Sequence, residues 1–259
     1  MKKGKIGVGI TTYNSESYFK TLYDSLQNSK IDELVVVNGG NPYTGDYKCK
    51  WIQDEVNRFP SACRNDCISY LLETGCEHIF LIEDDMIIKR PDIFEEYIKH
   101  SRISGLDYLC FVSTSGDCGT PNKRTPKIIL QYSPDTSISF YANMCNEFTY
   151  HHYTCFEKCG LYDSNLRDLF DVEMVYRQTK SNSKVSPFWW FADITNSDDF
   201  IENNPVAVSR LQSDRPDGSR SQIIGKMYEY FFNKYKLNVN QIPITPKEEF
   251  VTILKQIKP

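Results

Sequence analysis

"HIFLIEDDMIIKRP", residues 78–91, places Glu83, Asp84 and Asp85 side by side at the end of an apolar run. Adjacent like charges repel, and a carboxylate taken out of water is costly unless something pairs with it. The apolar run has the length of a buried strand, and "RPDIFEEYIKH" behind it reads as a helix with Pro91 near its start. What the three acids can do depends on where that strand sits.

Upstream, "KIGVGITTYN" (5–14) is short, apolar and β-rich, and Tyr18, Phe19, Leu22, Tyr23 and Leu26 then mark one face of a helix. "IDELVVVNGG" (31–40) gives a second strand closed by a turn at Asn38-Gly39-Gly40. "SACRNDCISYLLETG" (61–75) gives a helix with Cys63, Cys67 and Leu71 in register and Gly75 as its stop. Strands that are apolar throughout, alternating with helices, predict an α/β fold with a mostly parallel sheet covered on both faces. The acids then fall at the carboxyl end of the third parallel strand, where open α/β sheets hold their ligands.

Downstream, "DYLCFVST" is a strand, and "KIILQY" with "ISFYANM" is an antiparallel pair. "LYDSNLRDLFDVEMVYRQTK" contains a helix and "SPFWWFADI" a last strand. The polar, basic "SRLQSDRPDGSRSQ" carries Arg210, Arg215 and Arg220 and reads as a mobile loop. Two helices follow it, the second opened by Thr245 as N-cap, Pro246 at the first position and Glu248 completing a capping box. With no repeat and no low-complexity linker, residues 1–259 are expected to form a single domain.

The 259 residues are 40% hydrophobic and 25% charged, with a net charge of −4, so a general polyanion binder is not indicated. No stretch approaches the roughly 20 apolar residues of a membrane span, and the start does not resemble a signal peptide. Nine cysteines without a CxxC pair point to a reduced, cytoplasmic protein. His151, Cys155 and Cys159 have helical spacing, which a zinc site could use, but core cysteines beside an exposed histidine are the expectation.

Three readings compete for Glu83, Asp84 and Asp85: a solvated acidic turn, a carboxylate site for Mg²⁺ or Mn²⁺ shared with phosphates, and acid–base chemistry without metal. A bare turn would not need a Leu-Ile strand to aim it into a crevice, which favours the metal. Rival nucleotide sites fit poorly. Thr12 stands where a dinucleotide fingerprint wants its third glycine, and no GK[ST] marks a Walker loop.

"IGVGITTYN", "VVVNGG", "ACRND" and "IFLIEDDM" occur in the order and spacing of family 2 glycosyltransferases, and "FEKCGLYDSNLRDLFDVEMVYR" resembles a later block of that family. The resemblance covers about residues 5–177. It implies a GT-A (Rossmann-like) fold with a small antiparallel part and C-terminal helices. Residues 1–115 would be the nucleotide-sugar-binding half, 116–200 the acceptor and catalytic half, and 201–259 a basic loop and helices. The implied activity is metal-dependent, inverting transfer of a sugar from a nucleotide-diphosphate donor, UDP-sugar favoured, to a hydroxyl acceptor such as a glycan.

By this resemblance Thr11 and Tyr13 line the base pocket, and Asn38 takes the place of an acid that contacts uracil. Arg64 faces the diphosphate or the acidic motif. Asp85 is the principal ligand for Mn²⁺ or Mg²⁺, Asp84 contacts the ribose or the metal's water shell, and Glu83 reaches the metal through water or only shapes the turn. Asp171 is the expected base, with Glu173 as competitor because Phe170 replaces the first acid of the family's pair. Arg210, Arg215 and Arg220 would close on the diphosphate or form a solvated connection, and Trp189 or Trp190 would stack on an acceptor or pack in the core. The alternatives are a viral-type transferase acting on hydroxymethylated bases of DNA and a non-catalytic nucleotide-sugar-binding protein.

Overall fold

The first strand, β1 (Ile6–Thr12), is the pivot of the main sheet. A computed structural model describes residues 4–112, 125–141, 147–181, 191–206 and 219–257. In chain order the further elements begin with α1 (Glu16–Ser25), β2 (Glu33–Asn38), β3 (Lys50–Gln53), α2 (Phe59–Glu73), β4 (His78–Glu83), β5 (Met86–Ile88) and α3 (Ile93–Ser104). Then come β6 (Tyr108–Cys110), β7 (Ile128–Ser133), β8 (Thr136–Tyr141), β9 (Phe148–His152), α4 (Thr154–Cys159) and α5 (Phe170–Ser181). The last are β10 (Phe191–Ile194), β11 (Ile201–Asn203), α6 (Ser219–Tyr235) and α7 (Lys247–Gln256). Trp189, Trp190, Arg210 and Arg215, and the side chain of Arg220, lie outside the described residues.

The main sheet has the order β3-β2-β1-β4-β9-β6. Its first four strands are parallel, and β9 runs antiparallel to both β4 and β6. The chain steps outward from β1 to β2 and β3, then crosses back to β4 on the other side of β1. The carboxyl ends of β1 and β4 therefore flank the point where strand order reverses, the usual ligand crevice of such sheets. The predicted pair β7 and β8 is antiparallel and joins β10 in a three-stranded sheet. β11 pairs antiparallel with β5, directly behind the acidic turn.

Period-2 alternation assigns the two faces of the sheet. Val35, Val37, Ile79 and Leu81 pack with Cys63, Cys67, Ile68 and Leu71 of α2. Val8, Ile10, Phe80 and Ile82 pack with Phe19 and Leu22 of α1 and with Phe94 and Tyr97 of α3. Helix α2 lies very close to β1. A Cβ on Gly9 would stand 2.6 Å from the Cys67 Cβ, and one on Gly7 would stand 2.7 Å from the Leu71 Cδ2. Those glycines therefore serve helix–strand packing.

Two expectations change. Helix α7 begins at Lys247 with Pro246 at the cap position and no side-chain cap bond, so the capping box at Thr245 is not formed. His151 lies in β9, fully buried among Tyr108, Phe156 and Tyr162, and is neither exposed nor on a helix with Cys155 and Cys159. The short strands β3, β5, β9 and β11 carried no sequence signal of their own.

Candidate active site at the carboxyl edge of the sheet

The acidic turn is held from both sides. Strand β4 delivers Glu83, and the Asp85 carbonyl accepts a 2.7 Å bond from the Asn204 amide just beyond β11. Alternation then separates the acids. In β1, Thr11 stands beside Glu83 and Thr12 beside Asn38. The Thr12 hydroxyl donates to Asp84 Oδ2 at 2.5 Å and lies 2.5 Å from the Tyr43 hydroxyl. Thr12, which no motif marked as a site residue, is thus the threonine whose side chain bonds the acidic turn, while Thr11, expected in the base pocket, stands beside Glu83.

Glu83 faces α2, where Arg64 is buried to 1% exposure. Arg64 Nη2 donates to Glu83 Oε1 at 2.9 Å, and its Nη1 lies 3.5 Å from Asp171 Oδ1. The guanidinium also stands 5.1 Å from the Phe170 ring centre and 5.9 Å from that of Tyr162, where ring faces attract a cation. Phe170, which occupies the expected position of an acid, therefore supports the same arginine. Of its two expected partners, Arg64 meets the acidic motif.

Helix α2 also holds the segment that presents Asp171. Ser61 Oγ donates to the Leu166 carbonyl at 2.6 Å. Asn65 bonds reciprocally to the Tyr162 backbone, accepting from its amide at 2.9 Å and donating to its carbonyl at 2.8 Å. Two bulky residues adopt the left-handed region here, Phe59 (φ 68°) at the first position of α2 and Leu169 (φ 61°) just before α5. Such conformations cost free energy in non-glycine residues and gather where a site must be held in place.

Burial pushes the Asp171 carboxyl up to about 7, with Arg64 pulling it down and Asp168 adding to the rise. That is close to neutrality, where a carboxylate can take a proton and release it. Burial, and after it the charges of Asp85, Glu147 and Asp171, also drive Glu83 upward against the pull of Arg64. Glu147, at the head of β9, is a member of this acidic group that no motif marked. Its carbonyl accepts the Glu83 amide at 2.8 Å.

Glu173 lies elsewhere. It is fully buried and accepts from Arg177 Nε at 2.8 and 2.9 Å, from Lys234 Nζ at 2.8 Å and from the Tyr235 hydroxyl. This network ties α5 to α6 and does not join the Arg64 group.

At the other end of the crevice Tyr13 is 46% exposed, beside the turn that follows β2. Asn38 is buried with its amide engaged within that turn. Its Oδ1 accepts from Gly40 N at 2.9 Å, and its Nδ2 donates to the Asn41 carbonyl at 2.8 Å and Gln53 Oε1 at 3.1 Å.

No group of three His, Cys, Asp or Glu side chains among the described residues is placed to hold a metal ion. Mg²⁺ and Mn²⁺ do not require such a cage, because one or two carboxylates and the phosphates of a ligand satisfy them. Asp84 and Asp85 offer hard oxygen donors of that kind, so the residues fit an ion completed by a diphosphate.

No family model and no curated protein sequence matches the chain. Solved structures do. S. aureus TarS superposes over 98% of this chain and 49% of its own, with a TM-score of 0.57 and 16% identity. This chain thus spans about half of that TarS chain. A shorter form, TarS 1–349 in complex with UDP, gives 0.53 and 16% over 98% of this chain and 83% of its own. The mannosyltransferase PcManGT from Pyrobaculum calidifontis, in complex with GDP-Man and Mn²⁺, gives 0.58 and 12% over 98% of this chain and 69% of its own. GalNAc-T7 with UDP, GalNAc and Mn²⁺ gives 0.54 and 11% over 95% and 59%. At these identities the likeness establishes the fold: the chain has a GT-A glycosyltransferase fold, as the sequence led us to expect.

Proposed function

We propose that this chain is a metal-dependent, inverting glycosyltransferase that moves a sugar from a nucleotide-diphosphate donor to a hydroxyl acceptor, a glycan in the first instance. The observation that carries the reading is the convergence of Asp84, Arg64, Glu83 and Asp171 at the strand-order reversal of a GT-A fold. The similar structures with UDP or GDP-Man, two of them also with Mn²⁺, support this donor class and cofactor. UDP-sugars are the first donors to test.

In this reading Tyr13 stacks on the base. Asn38, engaged in its own turn, shapes the pocket rather than reading the base. Asp85 and Asp84 hold the Mn²⁺ or Mg²⁺ ion and orient the diphosphate. When bound, that ion offsets the negative charge growing on the leaving diphosphate. Asp171 accepts the acceptor hydroxyl's proton as that oxygen attacks the anomeric carbon and the bond to the diphosphate breaks. Arg64 keeps the Asp171 carboxylate from holding its proton too tightly, and Glu83 fixes the guanidinium in place.

A thermal-shift panel of nucleotides and nucleotide sugars, with and without Mn²⁺, on wild type and Asp85→Ala tests this. A ligand at 100 times its dissociation constant stabilises the fold by about 2.7 kcal/mol, or about 5–10 K for a chain of this size. A Mn²⁺-dependent shift with one nucleotide, absent in Asp85→Ala, is expected. No shift with any nucleotide overturns the reading.

A further inference from the structure

The segment between β2 and β3 carries no motif, yet it reaches the acidic turn. The Glu16 carboxylate accepts the amides of Thr44 at 2.7 Å and Gly45 at 2.9 Å, and the Lys48 amide donates to the Tyr23 hydroxyl at 2.8 Å. Tyr43 is wedged between Phe19 and Trp51, with ring centres 5.8 and 5.6 Å away. Its hydroxyl accepts from the Ser15 amide at 2.8 Å and lies 2.5 Å from Thr12 Oγ1, which is itself 2.5 Å from Asp84 Oδ2.

The direction of this chain follows from counting protons. A hydroxyl has one to give. Thr12 gives its proton to the Asp84 carboxylate, so Tyr43 must give its own to Thr12 Oγ1, while the Ser15 N–H satisfies the phenol oxygen. Three donors thus point the same way, and hydrogen bonds aligned in series polarise one another. A planar carboxylate with one oxygen so engaged has its orientation set before any ligand arrives.

We propose that Tyr43 is a positioning residue that acts through Thr12 to fix Asp84 for the donor nucleotide. This rests on the donor-site reading above. It adds a residue 31 positions beyond Thr12, the last residue of β1, and outside every motif. Fixing Asp84 in advance removes ordering cost from binding, so its loss weakens affinity.

The test is calorimetric titration of UDP and GDP with Mn²⁺ into wild type, Tyr43→Phe, Thr12→Val and the double variant, with a melting curve for each. Tyr43→Phe keeps the ring between Phe19 and Trp51. Thr12→Val breaks the chain at its middle without touching that aromatic cluster, so the test stands even if one variant folds poorly. Each single change is expected to weaken nucleotide affinity about tenfold, the scale of one hydrogen bond. The double variant should be no weaker than the weaker single one, because both cut the same chain. In turnover the donor KM should rise with kcat nearly unchanged. Wild-type affinity in both single variants, or losses that multiply in the double, overturns the proposal alone. No nucleotide binding by wild type overturns the donor-site reading beneath it.

Discussion

Two residues apart on α5, Asp171 and Glu173 meet opposite surroundings. Glu173 is saturated: two cations and a phenol direct their protons at its oxygens. Asp171 has Arg64 at 3.5 Å and a protein interior that raises its proton affinity to about 7. A carboxylate whose lone pairs are filled is a structural anchor. One held short of donors near neutral pH is suited to proton transfer. Donor count, more than position in the sequence, separates the two roles.

The sharpest way to break this contrast is to remove each carboxylate in turn. Asp171→Asn keeps shape and is expected to lower kcat by about 10²–10⁴-fold, the range of a lost general base. It should fold normally, which a melting curve checks. If turnover survives Asp171→Asn and vanishes in a well-folded Glu173→Gln, the assignment is reversed.

Glu173→Gln should act on stability. Removing one member of a buried charge network costs about 3–5 kcal/mol when its partners are left uncompensated. Here Lys234 and Arg177 keep some contact with water, so about 2–3 kcal/mol is expected, or a melting point about 5–10 K lower. The rate per folded molecule should change little. A variant that melts like wild type would show that α6 is held by its apolar contacts alone.

The contrast also measures what the sequence could convey. Asp171 and Arg64 were legible because each belongs to a local run, "LFDVEMVYR" and "ACRND", on an element with clear periodicity. The acids at the end of β4 were legible because a short apolar strand must end where its polarity changes. What Glu173 meets was not legible, since Lys234 and Tyr235 come from a helix some 60 residues later. The bond from Thr12 to Asp84 was not legible, because one residue of register decides which face a side chain takes. Tyr43 and Asn65 act through tertiary contacts that no spacing encodes. "FTYHH" escaped as a strand because it pairs antiparallel inside the sheet, where aromatic and histidine side chains are buried on both faces.

The finest test of the contrast is pH. In the unfolded chain Asp171 releases its proton near 3.8, and in the folded one near 7. Between those values the folded state holds the extra proton, so this group makes stability fall as pH rises across the window. The slope is at most about 1.4 kcal/mol per pH unit, or about 3–5 K in melting temperature. Asp171→Asn lacks the group, so its melting temperature minus that of wild type should widen from pH 5 to 7 and level off above. Glu173→Gln retains Asp171 and should run parallel to wild type however far below it lies. A gap for Asp171→Asn that stays flat would mean that Arg64 keeps Asp171 ionised throughout. Asp171 would then be a paired anchor like Glu173, and the proton acceptor would have to be sought elsewhere along the crevice.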